Sequence, residues 1–211
     1  MKKVVMSAAV CGAMVLGAAG AQAQSGEFDG STFTCLQYTS GQGDNSSTKA
    51  QVDLAKLWMM GYLTGYYKAK GNLELVDEGK AKDSVLSALV SKCRENPSVT
   101  IMTVGLQAIA TDARKMPSKP SDDIDLTSYT CANHVDARGG AASQAMKADL
   151  AELWAFAFIQ GYKNLNQPDM VIPMENKPVL TGAITKNCGK NLDKTFLDLT
   201  AMVAQAVKLG G

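Results

Sequence analysis

The chain reads as all-α, a single helical plan written twice. Three observations carry this: apolar residues recur at steps of three and four over two long stretches, no segment alternates in the manner of a strand, and the landmarks of the first half return in the second at a nearly fixed offset. The run Leu57-Trp58-Met59-Met60-Gly61-Tyr62-Leu63-Thr64-Gly65-Tyr66-Tyr67 is answered by Leu153-Trp154-Ala155-Phe156-Ala157-Phe158-Ile159-Gln160-Gly161-Tyr162. Trp58 and Trp154, Gly65 and Gly161, and Tyr66 and Tyr162 each lie 96 positions apart, as do Asp53-Leu54-Ala55 and Asp149-Leu150-Ala151. Cys35 and Cys131 keep the same offset, while Cys93 and Cys188 are 95 apart, so one residue has been lost between them. A period of this length exceeds a solenoid repeat and matches a small domain. The expected architecture is two tandem helical domains of about four helices each, over 31–115 and 127–209, joined by 116–126.

Before the first repeat, Lys2 and Lys3 precede an apolar and small-residue run over 4–19, and Ala21-Gln22-Ala23 offers small residues at a cleavage site. The pattern predicts a signal peptide over 1–23, cleaved after Ala23, and with its short charged start a bacterial periplasmic protein. The run falls short of the ~20 apolar residues a membrane anchor needs, and Cys11 sits inside it rather than at its end, against a lipoprotein. Residues 25–30 read as a polar lead-in.

The repeats then run in parallel. Phe33-Thr34-Cys35 and Tyr129-Thr130-Cys131 each place an aromatic before a hydroxyl residue that can cap a short helix bearing the cysteine. A Gly/Asn/Ser-rich turn over 41–47, matched by Gly139 and Gly140, leads into long helices expected over 48–69 and 143–165. One face carries Val52, Ala55, Trp58, Tyr62 and Tyr66, repeated as Ala148, Ala151, Trp154, Phe158 and Tyr162. On a neighbouring face Gly61 and Gly65, echoed by Ala157 and Gly161, would let another helix approach closely. The stretch 71–79 is irregular, and Pro168, Pro173 and Pro178 keep its counterpart extended. Third helices over 81–92 and 179–187 deliver Cys93 and Cys188, and fourth helices are expected over 99–114 and 192–208. Between the repeats, Met116-Pro117-Ser118-Lys119-Pro120 reads as a stiff, solvated linker.

Four cysteines remain after the leader, and four permit three pairings. The duplication selects the simplest, because each repeat has one cysteine at its start and one before its last helix: Cys35–Cys93 and Cys131–Cys188, one disulfide within each domain. Halves of about 85 residues are near the size where a covalent staple helps. Loops of this length remove roughly 4 kcal/mol of unfolded-state entropy each in the chain-entropy model.

The residues offer little to catalysis. His134 is the sole histidine, there is no CxxC, and so a metal centre lacks its ligands. A Cys131–His134 nucleophile pair would need a free thiol. Ser46-Ser47-Thr48-Lys49 matches Ser-x-x-Lys without its companion motifs. Asp53 and Asp149 are read as residues favouring the start of a helix. No phosphate loop or basic-aromatic stretch is present, so no enzyme activity, cofactor, nucleic acid or membrane partner is expected. Losing Lys2 and Lys3 turns the formal charge of +1 into −1, which points to no polyanion. In acid the carboxylates protonate near pH ~4 and the net charge climbs to about +20. Self-repulsion would then loosen the helices while the disulfides hold each domain together. Trp58, Met59, Met60, Tyr62, Trp154, Phe156 and Phe158 are core candidates that such loosening would turn into contacts for a client.

The order aromatic-Thr-Cys, long helix with Trp and Gly-Tyr, helix ending in Cys, Asn, last helix resembles the HdeA/HdeB family of small periplasmic acid-stress chaperones. In the first repeat the resemblance covers 33–110 and rests on TCLQY, LWMMGYLTGYY and CRENP; in the second it covers 129–206, where CGKNL lacks the proline and Ala157 replaces a glycine. It implies one disulfide per domain on the pairs above, a helical fold that self-associates, and ATP-independent holdase activity on unfolded periplasmic proteins at low pH. A fused pair departs from the family's single-domain chain and cannot fully separate. The expectation of another class is a constitutive interaction module, of inhibitor or immunity type, that binds one folded partner at neutral pH.

Overall fold

A computed structural model describes residues 28–43, 46–77, 79–109 and 115–207. The expected leader over 1–23 lies outside these residues, as do the ends of the expected fourth helices beyond 109 and 207.

The chain is mostly helical. Each repeat begins alike: α1 (Cys35–Ser40) and α5 (Cys131–Gly139) are capped by Thr34 and Thr130, whose side chains accept from the N–H groups of Gln37 and Asn133 in reciprocal capping boxes. The capping hydroxyls foreseen from the sequence are thus in place. The long helices follow, α2 (Ser46–Lys70) and α6 (Ala142–Asn164). The third helices are α3 (Gly79–Glu95) and α7 (Lys177–Cys188). The last are α4 (Ile101–Val104), which continues as a π-turn over Gly105–Ile109, and α8 (Phe196–Ala206). They start later than expected because Thr100 and Thr195 cap them, while the residues before them are used to clasp the repeat's beginning. The Cys35 N–H donates to the Val99 carbonyl and the Cys131 N–H to that of Lys194; Ile101 and Phe196 donate back to Phe33 and Tyr129. The repeats share this backbone pattern bond for bond. Disulfides Cys35–Cys93 and Cys131–Cys188 close each one.

The two repeats do not stand apart. α2 and α6 pack face to face, and their large side chains join one continuous hydrophobic core that runs through both halves. The crossing is made by the small residues the sequence singled out. A Cβ on Gly65 would lie 2.0 Å from the Phe158 carbonyl oxygen, and one on Gly161 would lie 1.8 Å from that of Tyr62. Since Phe158 and Tyr62 are themselves repeat equivalents, the contact is reciprocal, like the isologous interface of a two-fold dimer. Gly61 faces the Trp154 carbonyl and the Ala157 methyl in the same way.

One expectation is corrected here, and the all-α plan carries one small addition. The addition is β1 (Glu74–Val76), which pairs in parallel with β2 (Lys115–Pro117), with Leu75 opposite Met116. The corrected expectation is the linker over 116–126, which is not solvated. Met116, Ile124 and Leu126 are buried, the Ser118 N–H donates to Val76, and that of Leu126 donates to the Ser118 carbonyl. Three widely spaced apolar anchors among prolines show no periodicity, yet each fills the core. Among the described residues no helix is long and apolar enough to cross a membrane.

Candidate functional site

The seven residues put forward as client contacts sit along α2 and α6, none more than 1% exposed. Their placement follows from the glycine crossing: backbones that nearly touch push the large side chains outward on either side. Trp58 stacks on Tyr62 at 5.2 Å between centroids, and Trp154 tilts against Phe158 at 5.3 Å. Trp58 also covers Gly30, where a Cβ would fall 2.2 Å from the indole ring. In this closed state the stripe is core and cannot meet a client.

The packing has polar gaps. The indole N–H groups of Trp58 and Trp154 and the hydroxyl of Tyr62 are buried without a hydrogen-bond partner. An unmet buried donor costs roughly 1–3 kcal/mol, so this interface is held less firmly than its apolar area suggests.

Sequence reasoning missed a polar cluster in the second repeat. His134 is fully buried against Phe196, its Nδ1 3.5 Å from the Tyr129 hydroxyl and its Nε2 3.1 Å from Thr185 Oγ1. Burial holds the Tyr129 hydroxyl up at about 12. Glu152 Oε1 lies 3.6 Å from His134 Nε2 and accepts from Arg138 Nε at 2.7 Å. Arg138 reaches Asp149 at 2.7 Å with its other arm. Asp149 thus serves as an ion-pair partner one turn and more inside α6, and Asp53 pairs with Lys56 at 2.8 Å inside α2; neither lies in the first turn, where a dipole role would put it.

Burial alone would push the Glu152 carboxyl up. The facing His134 and the Arg138 hydrogen bonds and charge outweigh it, and hold it below the usual carboxylate range. Lys177, buried at the start of α7, is pushed down by desolvation, with Glu152 and Asp149 opposing. The cluster therefore joins α5, α6 and α7 through opposite charges. Its signal was in the repeat comparison: Arg138 and Glu152 stand where the first repeat has Gln42 and Lys56.

Both sulfurs near His134 are committed to the Cys131–Cys188 bridge, so no thiolate is available to it. Among the described residues no group of His, Cys, Asp and Glu has the arrangement to hold a metal ion. What the arrangement can do is store a charge-dependent lock beside a buried apolar interface. No family model, no curated protein and no solved structure matches the chain.

Proposed function

We propose that the protein is an ATP-independent, acid-activated holdase of the periplasm, which uncovers apolar surface as pH falls and binds unfolded clients without catalysis. The observation that carries this reading is the part-buried Glu152 carboxylate, tying His134 and Arg138 of α5 to α6 beside Thr185 of α7. A carboxyl held below its ordinary value stabilises the fold fully above the unfolded value of about 4.3, and that contribution is lost as pH falls through the lower folded value. Asp149 is a second carboxylate on the cluster, paired with Arg138. Once Glu152 is neutral, the part-buried Arg138 guanidinium loses a charged partner, and the buried Lys177 loses the larger of the carboxylate attractions that oppose its desolvation.

Three further points support the reading. The net charge swings from −1 to about +20 across the carboxylate range. Each repeat keeps its own disulfide, so opening need not become full unfolding. The unpartnered Trp58, Trp154 and Tyr62 groups gain water when α2 and α6 part, which lowers the penalty for parting them. The family resemblance read from the ordered motifs points the same way.

The test is light scattering of a model client at about pH 2–3, with and without the protein. Protection that is absent at neutral pH and present in acid is the expected result, with Glu152→Gln moving its onset to milder acid. No protection at any acid pH ends the proposal. A stoichiometric folded partner that binds at neutral pH and is released in acid would favour the constitutive interaction module instead.

A further inference from the structure

The charge lock exists in one repeat only. In the first repeat the same place is an open cleft of about 720 Å³ between the end of α1, α2 and α3. Its lining replaces His134 by Tyr38, Arg138 by Gln42, Glu152 by Lys56 and Thr185 by Val90. A cation thus stands where the second repeat has its carboxylate. Among the described residues no ion pair ties α1 or α3 to α2: Asp53–Lys56 and Lys92–Glu95 each join positions three apart on one helix. The side chains buried between these helices, Tyr38, Val85 and Leu89 among them, carry no charge.

In the second repeat the ties between helices are ionic as well as apolar. Glu152 of α6 faces His134 and Arg138 of α5 and Thr185 of α7. Asp149, also on α6, pairs with Arg138, and Lys177 of α7 is close enough to feel both carboxylates. Tyr129, just before α5 and under the Lys147 ammonium, stays neutral with its hydroxyl at about 12. α8 brings uncharged Phe196 against His134, and α2 meets α6 through Gly61, Tyr62 and Gly65. The anions of this set therefore sit on α6 and their partners on α5 and α7. Acid neutralises the α6 side, which removes an attraction holding α5 and α7 down and removes no such tie from the first repeat. The Cys131–Cys188 bridge joins α5 to α7, so they leave as a pair. Phe156 lies one turn beyond Glu152 on the same face of α6, and Leu180 and Ile184 are buried on α7.

We infer that acid opens the second repeat first: the α5–α7 pair lifts from α6 while the first repeat stays closed, and a client lands on the surface so uncovered, Phe156 of α6 with Leu180 and Ile184 of α7. The client part rests on the holdase reading; the order of opening does not. Of the seven residues put forward as client contacts, this step releases Phe156, whereas Trp58, Met59, Met60 and Tyr62 stay covered. The rim of the uncovered face keeps Arg138 and Lys177, both positive in acid. It suits an apolar or aromatic client segment poor in lysine and arginine, since like charges repel and aromatic rings accept a cation on their face.

Peptide-resolved hydrogen exchange on the oxidised full chain, stepped from about pH 6 to about pH 2 and corrected for the intrinsic effect of pH, tests it. Exchange in α5 and α7 should rise about tenfold or more at a pH where α1 and α3 keep their protection. Glu152→Gln should bring that rise to milder acid and leave α1 and α3 as they were. Lys56→Gln, at the equivalent place in the first repeat, should leave the order unchanged. With a permanently unfolded client, reduced and carboxymethylated lactalbumin, added in acid, protection should return on α6 around Phe156 and on α7. A phenylalanine-rich peptide should displace that client better than its lysine-substituted copy. Both repeats opening together, the first opening earlier, a client footprint on α1–α3, or equal displacement by the two peptides overturns the inference and leaves the holdase reading standing. The stated order with no client bound supports the order and overturns the holdase reading.

Discussion

Replacing Gly161 by alanine sets two effects of opposite sign against each other. In an exposed helix the change would stabilise by about 1 kcal/mol through backbone entropy. Here the added methyl would sit 1.8 Å from the Tyr62 carbonyl oxygen, where real contacts begin near 3.0 Å, a deficit of about 1.2 Å. The obstacle is backbone, so no rotamer change relieves it and α2 and α6 must separate. A gap of 0.5–1 Å already forfeits about a quarter to a half of each contact's dispersion energy, and Trp58, Tyr62, Trp154 and Phe158 all line this crossing. Overpacking of this kind costs about 1–3 kcal/mol and occasionally more. Taking the upper part of that range and subtracting the propensity gain leaves a net loss of about 2 kcal/mol. Gly65→Ala, blocked at 2.0 Å by the Phe158 carbonyl, should lose a similar amount. Because one separation relieves both clashes, the double variant should lose clearly less than the sum. Urea unfolding of the oxidised proteins reads this directly. An alanine variant as stable as the parent, or strict additivity, would refute the reciprocal backbone crossing.

Glu152→Gln should cost about 1–3 kcal/mol at pH 7, and the difference from the parent should shrink as pH falls and the parent's Glu152 protonates; a difference constant from pH 7 to pH 2 would contradict the lock. Met116→Ala should cost about 2–4 kcal/mol in thermal or urea unfolding, as for a fully buried side chain, whereas a solvated linker would lose almost nothing. Removing the second bridge with Cys131→Ala and Cys188→Ala should cost about 2–5 kcal/mol and leave the first repeat's bridge intact by mass mapping.

Local chemistry made much of this fold legible. Thr34 and Thr130 announce helix starts, the cysteine spacing announces the pairing, and Gly61 and Gly65 announce a close neighbour. What the sequence could not say was which neighbour, because a glycine ridge has no address until the facing helix is known. β1 and β2 escaped for a different reason: three residues are too few to show an alternation. Met116, Ile124 and Leu126 were hidden by the prolines and aspartates among them. The His134 cluster needed α5, α6 and α7 to be assembled before its charges could be seen as partners.

The repeat equivalents that kept their identity and those that lost it divide by what constrains them. Gly65 and Gly161 face backbone, where any side chain collides, so neither copy has room to drift. Tyr38 and His134, Gln42 and Arg138, Lys56 and Glu152 face a pocket between helices, where one copy can fill the space with its own ions and the other leave it open. The frame is thus shared while the second repeat holds a charge lock and the first an open cleft. Lys56→Glu combined with Gln42→Arg should transplant the lock: neutral-pH stability should be maintained, and stability should fall more steeply on acidification than in the parent. If the double variant lost stability in acid no faster than the parent, the cleft and the cluster would not be two versions of one place.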